Sequence, residues 1–270
     1  MTISSSSSPL PRDSRLAEVF KKYFTFKIAK TAEEKERVFK LRHEVYCQEI
    51  GYQPVGASSR QLELDSHDIH SIHCLLEHKR TGLAAGCLRL VLPDPKAQSE
   101  DARLPLQEYG AQSLYHPLYH PAKLPEHQIC EISRFTIARP FRHKAIKNET
   151  LGNEDLNHVF TDEERQAFSA IIIALFLATY ALVGMTKRCH VFAMMEPRLP
   201  RLLSMSGFHF TKVGDTVEMF GKRNAFYIDH SKAEKEIHED LLPLYSRIQD
   251  ELSSQLDATF ASVFTKAELA

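Results

Sequence analysis

The chain has 270 residues, 43% of them hydrophobic, enough to bury a sizeable core in one large domain or two small ones. Lys and Arg number 34 against 35 Asp and Glu, a near-neutral balance that argues against a dedicated nucleic-acid binder. Five scattered Cys form no Cys-x-x-Cys pair, which speaks against a disulfide scaffold or a zinc ribbon and for free thiols in a reducing cytoplasm.

Residues 1–15 are rich in Ser and Pro, lack the regions of a secretory signal, and are expected to be disordered. An amphipathic segment follows at 16–23. Phe24, Phe26 and Ile28 alternate with polar residues and predict a strand. Thr31-Ala-Glu-Glu34 is a capping-box pattern opening a helix with Val38, Leu41 and Val45 on one stripe, and residues 51–69 read as a loop. Residues 70–78 and 83–92 predict an antiparallel hairpin around Thr81-Gly82. The Pro-rich stretch 93–126 has no clean period and reads as an insertion or a functional segment.

A strand is predicted over 128–138, and residues 139–161 are polar and irregular. The longest uncharged run, Phe168 to Met185, is borderline against the roughly 20 apolar residues of a membrane span and includes Ser169, Thr179, Tyr180 and Gly184. It reads as a buried core helix running from about Asp162 to Gly184. A strand at 190–195, a short helix at 196–205 closed by Gly207, and strands at 208–213 and 217–229 complete the domain. Residues 233–264 have a charged helical period. The expected organisation is a tail (1–15), an α/β domain with a mixed sheet flanked by helices (16–230) and an appended helical segment (231–270).

Four constellations carry chemistry. Arg42 and Tyr46 lie four apart on one predicted helix face and could line a pocket, or the Arg could simply snorkel. Glu63, Asp65 and Asp68 repel one another unless amines or guanidinium groups compensate them, or unless the loop is solvated. Arg89 interrupts an apolar strand and must be paired or face solvent. In Cys130-Glu131-Ile132-Ser133-Arg134-Phe135, strict alternation sends Glu131 and Arg134 to opposite faces, and a bulge would change that. His67, His70 and His73 do not make a metal set, since His70 and His73 would point to opposite faces of a strand; no metal is expected. No Gly-x-Ser-x-Gly elbow, P-loop or dinucleotide fingerprint is present.

In this order, the four pieces resemble the GNAT-fold acyltransferases, and more closely the acyl-homoserine-lactone synthases, the N-acyl amino acid synthases and, through LRHEVYCQEIGY, the exosortase-associated (PEP-CTERM system) acyltransferases. The resemblance covers roughly residues 24–229. It implies a GNAT-like, mostly antiparallel sheet in which the strand at 128–138 splays from the one at 190–195. It implies Glu131 as base with Arg134 beside it. Arg42, Tyr46, Asp65, Asp68, Arg89, Ser133 and Phe135 would surround the substrate, and N–H groups near Phe135 would polarise a thioester carbonyl. The absence of Trp, the insertion and the C-terminal helix depart from the lactone synthases and favour a simpler amine, such as a free amino acid.

The expected reaction transfers a long-chain acyl group from a thioester to the amine of an amino acid, with no cofactor beyond the donor's phosphopantetheine or CoA. The stretch from Arg139 to Lys144 lacks the Gly-rich turn that cradles a pyrophosphate, which favours acyl carrier protein as partner; Arg139, Arg142, Lys144 and Lys147 would meet its acidic surface, with Lys187 and Arg188 also within the basic set. Peripheral membrane contact through the lipid product is a further expectation. The alternatives are a lactone synthase using S-adenosylmethionine, an acetyl-CoA-dependent acetyltransferase and a non-catalytic GNAT-fold binding module.

Overall fold

The computed structural model describes residues 12–51, 60–93, 103–142, 159–204, 206–219 and 221–256. The expected disordered tail lies largely outside these residues, as do Lys144 and Lys147. Helix α1 (Arg12–Tyr23) starts before the predicted segment and leads into edge strand β1 (Phe24–Ile28). Helix α2 (Ala32–Arg42) is opened by the predicted capping box: Thr31 Oγ1 accepts from the Glu34 N–H at 3.2 Å, and the Glu34 carboxylate accepts from the Thr31 N–H at 3.0 Å.

The hairpin is β2 (Ser71–His78) with β3 (Ala84–Val91). After a helical turn, α3 (Pro105–Tyr109), come β4 (Ile129–Ile137), α4 (Asp162–Phe168), α5 (Ile171–Met185) and β5 (His190–Met195). Helix α6 (Leu199–Ser204), short strands β6 (Thr211–Lys212) and β7 (Val217–Glu218), strand β8 (Lys222–Asp229), α7 (His230–Ala233) and α8 (Leu242–Ser253) close the chain.

The sheet runs β1-β2-β3-β4-β5-β8-β6, with β7 also on β8. Every pairing is antiparallel except β4 with β5, which is parallel, as the strand–helix–strand order predicts. This is the GNAT-like mixed sheet expected. The β4–β5 ladder runs from Ile129 opposite His190 to Ile132 opposite Ala193 and stops there, so the strands part over Ser133–Ile137.

Three differences from the sequence reading have physical causes. The single helix expected from Asp162 to Gly184 is two helices bent by 52°, the chain leaving α4 at Ser169 and laying the uncharged, mostly apolar α5 against the sheet. Among the described residues no single helix is long and apolar enough to cross a membrane. The helical segment predicted over 233–264, of which 257–264 lie outside the described residues, is broken up to Leu241 into short turns and continues as α8 in the core layer: Ile248 and Leu252 are buried, and Gln255 accepts from the Ile28 N–H at 2.8 Å and donates to the Phe26 carbonyl at 2.9 Å, covering the free edge of β1. The strand expected over 217–229 is broken at Gly221 (φ +92), which turns β7 back onto β8.

Two apolar clusters result. The main one joins α1, α5 and α8 to one face of the sheet. On the opposite face, Leu104 and Leu106 of the Pro-rich stretch pack on Ile129, Phe192, Ala225 and Tyr227, so the described part of that stretch is a roof over β4, β5 and β8.

Candidate active site

Helix α2 does not end as a regular helix. Residues 43–49 continue it as a π-helix, with the Ile50 N–H reaching the Val45 carbonyl five residues back at 3.1 Å. The wider turn separates Arg42 from Tyr46, which a regular helix would stack on one face. Arg42 is fully buried beneath the helix. Tyr46 instead lines a cavity, its hydroxyl donating to the Phe135 carbonyl at 3.3 Å.

Strand β4 carries a second irregularity. Cys87 of β3 faces Thr136 and Arg89 faces Ser133, so β4 has one extra residue between them. Arg134, at φ +50, is the kinked residue, in the left-handed region that few non-Gly residues adopt. The bulge places Arg134 beside Ser133 in one polar network, resolving the alternation conflict noted in the sequence. Neither Arg134 nor Phe135 has a ladder partner on β3.

The charged residues converge, but chiefly on one another. Arg42 donates through Nε to Glu63 and through Nη1 to Asp68 at 2.7 Å. Arg89 bonds Asp65, Asp68 at 2.7 Å and Ser133 Oγ at 2.9 Å. Arg134 bonds Glu63 at 2.8 Å and Asp65 at 2.8 Å, with its guanidinium 5.6 Å above the Tyr46 ring. Three positive charges thus meet three negative ones. Burial alone would raise the carboxyls of Asp68, Asp65 and Glu63, but the guanidinium groups outweigh it and hold all three below the usual carboxylate range. His73 lies against this network, its pKa lowered to about 4 chiefly by burial, and is neutral. The Arg42 and Arg89 side chains have no exposed surface, whereas that of Arg134 is 14% exposed: it is the member that reaches the cavity. Glu63 belongs to the network as fully as Asp65 and Asp68, although it lies outside the predicted site set; the mutual repulsion of three neighbouring carboxylates was the signal for it.

Glu131 stands on the roofed face, next to the network. It is 1% exposed, and its carboxyl accepts the Leu106 N–H at 2.7 Å. Burial pushes its pKa up to about 8, against the opposing pull of that hydrogen bond and of Arg89 and Arg134. His67, also buried, pairs with Glu108 at 2.7 Å and ties the same roof to the acidic loop.

The cavity, of about 210 Å³, opens where β4 and β5 part and runs beneath β5 along α5. Its wall is largely apolar: Ile132, Phe135, Phe176, Val183 and Met194 line it, the Phe135 and Phe176 rings lying 4.5 Å apart. Of the basic residues assigned to carrier docking, Arg142 is held by the Ile137 carbonyl at 2.8 Å and by Glu49 at 2.6 Å, and Arg139 sits in the turn after β4. Arg188 is buried, bonding the Glu126 carbonyl at 3.0 Å; it braces the roof and is not part of a landing surface.

Residues 41–151 match the family model described as an acetyltransferase (GNAT) domain. BjaI, a CoA-dependent acyl-homoserine lactone synthase solved with SAM and isopentyl-CoA, is similar at 20% identity and a TM-score of 0.54, covering 84% of this chain and 89% of its own. TofI, solved with an inhibitor and MTA, is similar at 16% identity and 0.52, covering 82% and 96%. FeeM, an N-acyl amino acid synthase from uncultured soil microbes, is similar at 12% identity and 0.51, covering 81% and 97%. No curated protein matches the sequence. The matched segment is that of a GNAT acetyltransferase domain, and the fold around it is the one these solved structures have. The chain shares that fold with lactone-forming and N-acyl-amino-acid-forming synthases alike.

Proposed function

We propose that the chain is an N-acyltransferase that moves an acyl group from acyl carrier protein to the amine of a small acceptor, an amino acid by preference. The observation that carries this reading is the apolar cavity opening at the β4–β5 splay, with Arg134 and Tyr46 at its edge. The acyl chain lies in the cavity beneath β5 and the thioester carbonyl sits at the splay. The amine approaches from the Glu131 face. Its nitrogen forms the C–N bond, the C–S bond breaks, and the thiol leaves with a proton. Glu131, buried outside the cavity lining, accepts the amine's proton through an intervening water: a carboxyl raised to about 8 is matched to an ammonium group far better than an ordinary one. Arg134 stabilises the developing oxyanion or holds the acceptor's carboxylate. The buried Arg42, Arg89, Asp65 and Asp68 act as positioning residues that fix Arg134 and Ser133.

An engineered dry cavity of about 150 Å³ takes up benzene, so a cavity of about 210 Å³ has room for an eight-carbon chain, a probe for the expected longer one. Arg139, with Lys144 and Lys147, is assigned to carrier docking. The test is a steady-state comparison of octanoyl-carrier-protein, octanoyl-CoA and acetyl-CoA donors against a panel of amino acids and S-adenosylmethionine. Octanoyl-carrier-protein with an amino acid should give the highest kcat/KM. Equal or better turnover with acetyl-CoA would overturn the donor assignment, and a lactone product would overturn the acceptor.

A further inference from the structure

The arginines of the network are already paired with carboxylates. Arg42 is committed to Glu63 and Asp68, Arg89 to Asp65 and Asp68, and Arg134 to Glu63 and Asp65. Arg223 of β8 also lines the cavity, and among the described residues no carboxylate lies within ion-pair distance of it. Its guanidinium makes one side-chain hydrogen bond among those residues, from Nη1 to the Lys222 carbonyl at 3.1 Å, so most of its five N–H donors are unused. Strand register fixes where Arg223 stands. The last β4–β5 pair is Ile132 with Ala193. Two residues further, β4 reaches Arg134 and β5 reaches Met195, which pairs with Asn224 of β8. Arg223 is the next residue of β8, at the height of the bulge and two strand spacings, about 10 Å, from β4. Strand alternation sets it on the side of Ala225 and Tyr227, which pack under the roof with Ile129 and Phe192. That is the Glu131 face, from which the amine approaches. Arg223 is half-buried at this rim, and partial shielding from water strengthens its attraction for an anion.

We propose that Arg223 binds the carboxylate of the acceptor, so that the enzyme takes amino acids in preference to amines that lack an acid group. This rests on the acyl-transfer reading above and divides the labour within it: Arg223 holds the acceptor's carboxylate, and Arg134 is left to the oxyanion. The preference comes from chemistry that an uncharged acceptor lacks. A planar guanidinium meets a carboxylate through two parallel N–H···O bonds, whereas a carboxamide of the same shape offers one acceptor and no charge. The phosphate of the donor's arm is an anion too, so the test separates the two.

The test has a binding arm and a turnover arm, on wild type, Arg223→Gln and Arg223→Lys. In the first, calorimetry compares N-octanoylglycine with its carboxamide, two product-like ligands that differ only in the acid group. Wild type should bind the acid about tenfold or more tighter than the amide, the range of a hydrogen-bonded charged pair. In Arg223→Gln that ratio should fall to near one, and Arg223→Lys, which keeps the charge without the fork, should lie between. In the second arm, octanoyl-carrier-protein and octanoyl-CoA are each paired with an amino acid and with its carboxamide. Arg223→Gln should raise KM for the amino acid about tenfold or more, with little change in kcat, in KM for either donor, or in KM for the carboxamide. Both variants should melt at the wild-type temperature, since the Arg223 guanidinium holds only its neighbour's carbonyl.

An acid-to-amide ratio near one in wild type, or binding of neither ligand, would overturn the proposal, as would a ratio that survives Arg223→Gln. A raised KM for the donors with that of the amino acid unchanged would assign Arg223 to the donor's phosphate and overturn it equally. A lowered melting temperature in both variants would show the guanidinium spent on the fold and would count against it. Failure of the acyl-transfer reading would look different: no turnover with any donor and acceptor, while the binding arm still reports on Arg223.

Discussion

On one face of β4, three guanidinium groups meet three carboxylates beneath α2; on the other, α5 lines a cavity with aromatic and aliphatic side chains. The difference lies in what each face leaves unspent. The network's charges are largely consumed in pairing with one another, and they serve to hold the bulged strand in place. The cavity offers apolar surface and an open splay. A cluster of charged residues that looks catalytic in a sequence can thus be the frame of a site whose working surface is apolar.

The largest expected effect falls on the network. Asp68→Ala or Arg42→Ala leaves buried charges without partners and should cost about 3–5 kcal/mol of stability by chemical denaturation. Near-wild-type stability in both variants would mean that these groups are solvated and free to bind substrate, erasing the contrast between the faces. Next comes Glu131. Glu131→Gln keeps the acceptor for the Leu106 N–H and should fold normally, yet lose about 10²-fold or more in kcat/KM. Wild-type kcat/KM should also rise with pH through the region of about 8, a limb flattened in the variant. Identical pH profiles would remove Glu131 as the base.

A smaller effect is expected on the apolar face. Ala193 lines the cavity at the last position of β5 paired with β4, and Ala193→Leu should cost about tenfold or more in kcat/KM for an eight-carbon donor while acetyl transfer suffers less. Equal losses for both donors would indicate a general distortion.

A further effect is on pH stability. His73, depressed to about 4 from 6.5 by burial, binds its proton more readily unfolded, so its contribution is present above pH 6.5 and is lost as pH falls towards 4. Glu63, Asp65 and Asp68, also depressed, add a further loss below about pH 4. His73→Gln should flatten the first part of that curve, and an unchanged curve would detach His73 from the network.

The framework was legible in the sequence because local signals agreed: the Thr31–Glu34 box, the hairpin around Gly82, and β4 and β5 on either side of an apolar helix. What stayed hidden depends on tertiary contacts. The break at Ser169 carries no Pro or Gly, and the π-helical turn that separates Arg42 from Tyr46 has no composition of its own. The extra residue at Arg134 could be suspected, since Glu and Arg three apart in an apolar strand conflict with alternation. The residue that bulges is fixed only by the pairing with β3. The roof over Glu131 was invisible because the Pro-rich stretch folds by packing on Phe192 and Tyr227, residues far away in the chain.

The acyl chain should occupy the cavity beneath β5. An eight-carbon acyl donor with a photoreactive diazirine at its far end, irradiated on the protein and mapped by peptide mass spectrometry, tests this directly. Adducts on α5 and β5 residues of the cavity, Val183 and Val191 among them, are the predicted result, and Ala193→Leu should diminish them. Adducts confined to the Glu131 face, or to surface residues unaffected by Ala193→Leu, would contradict it.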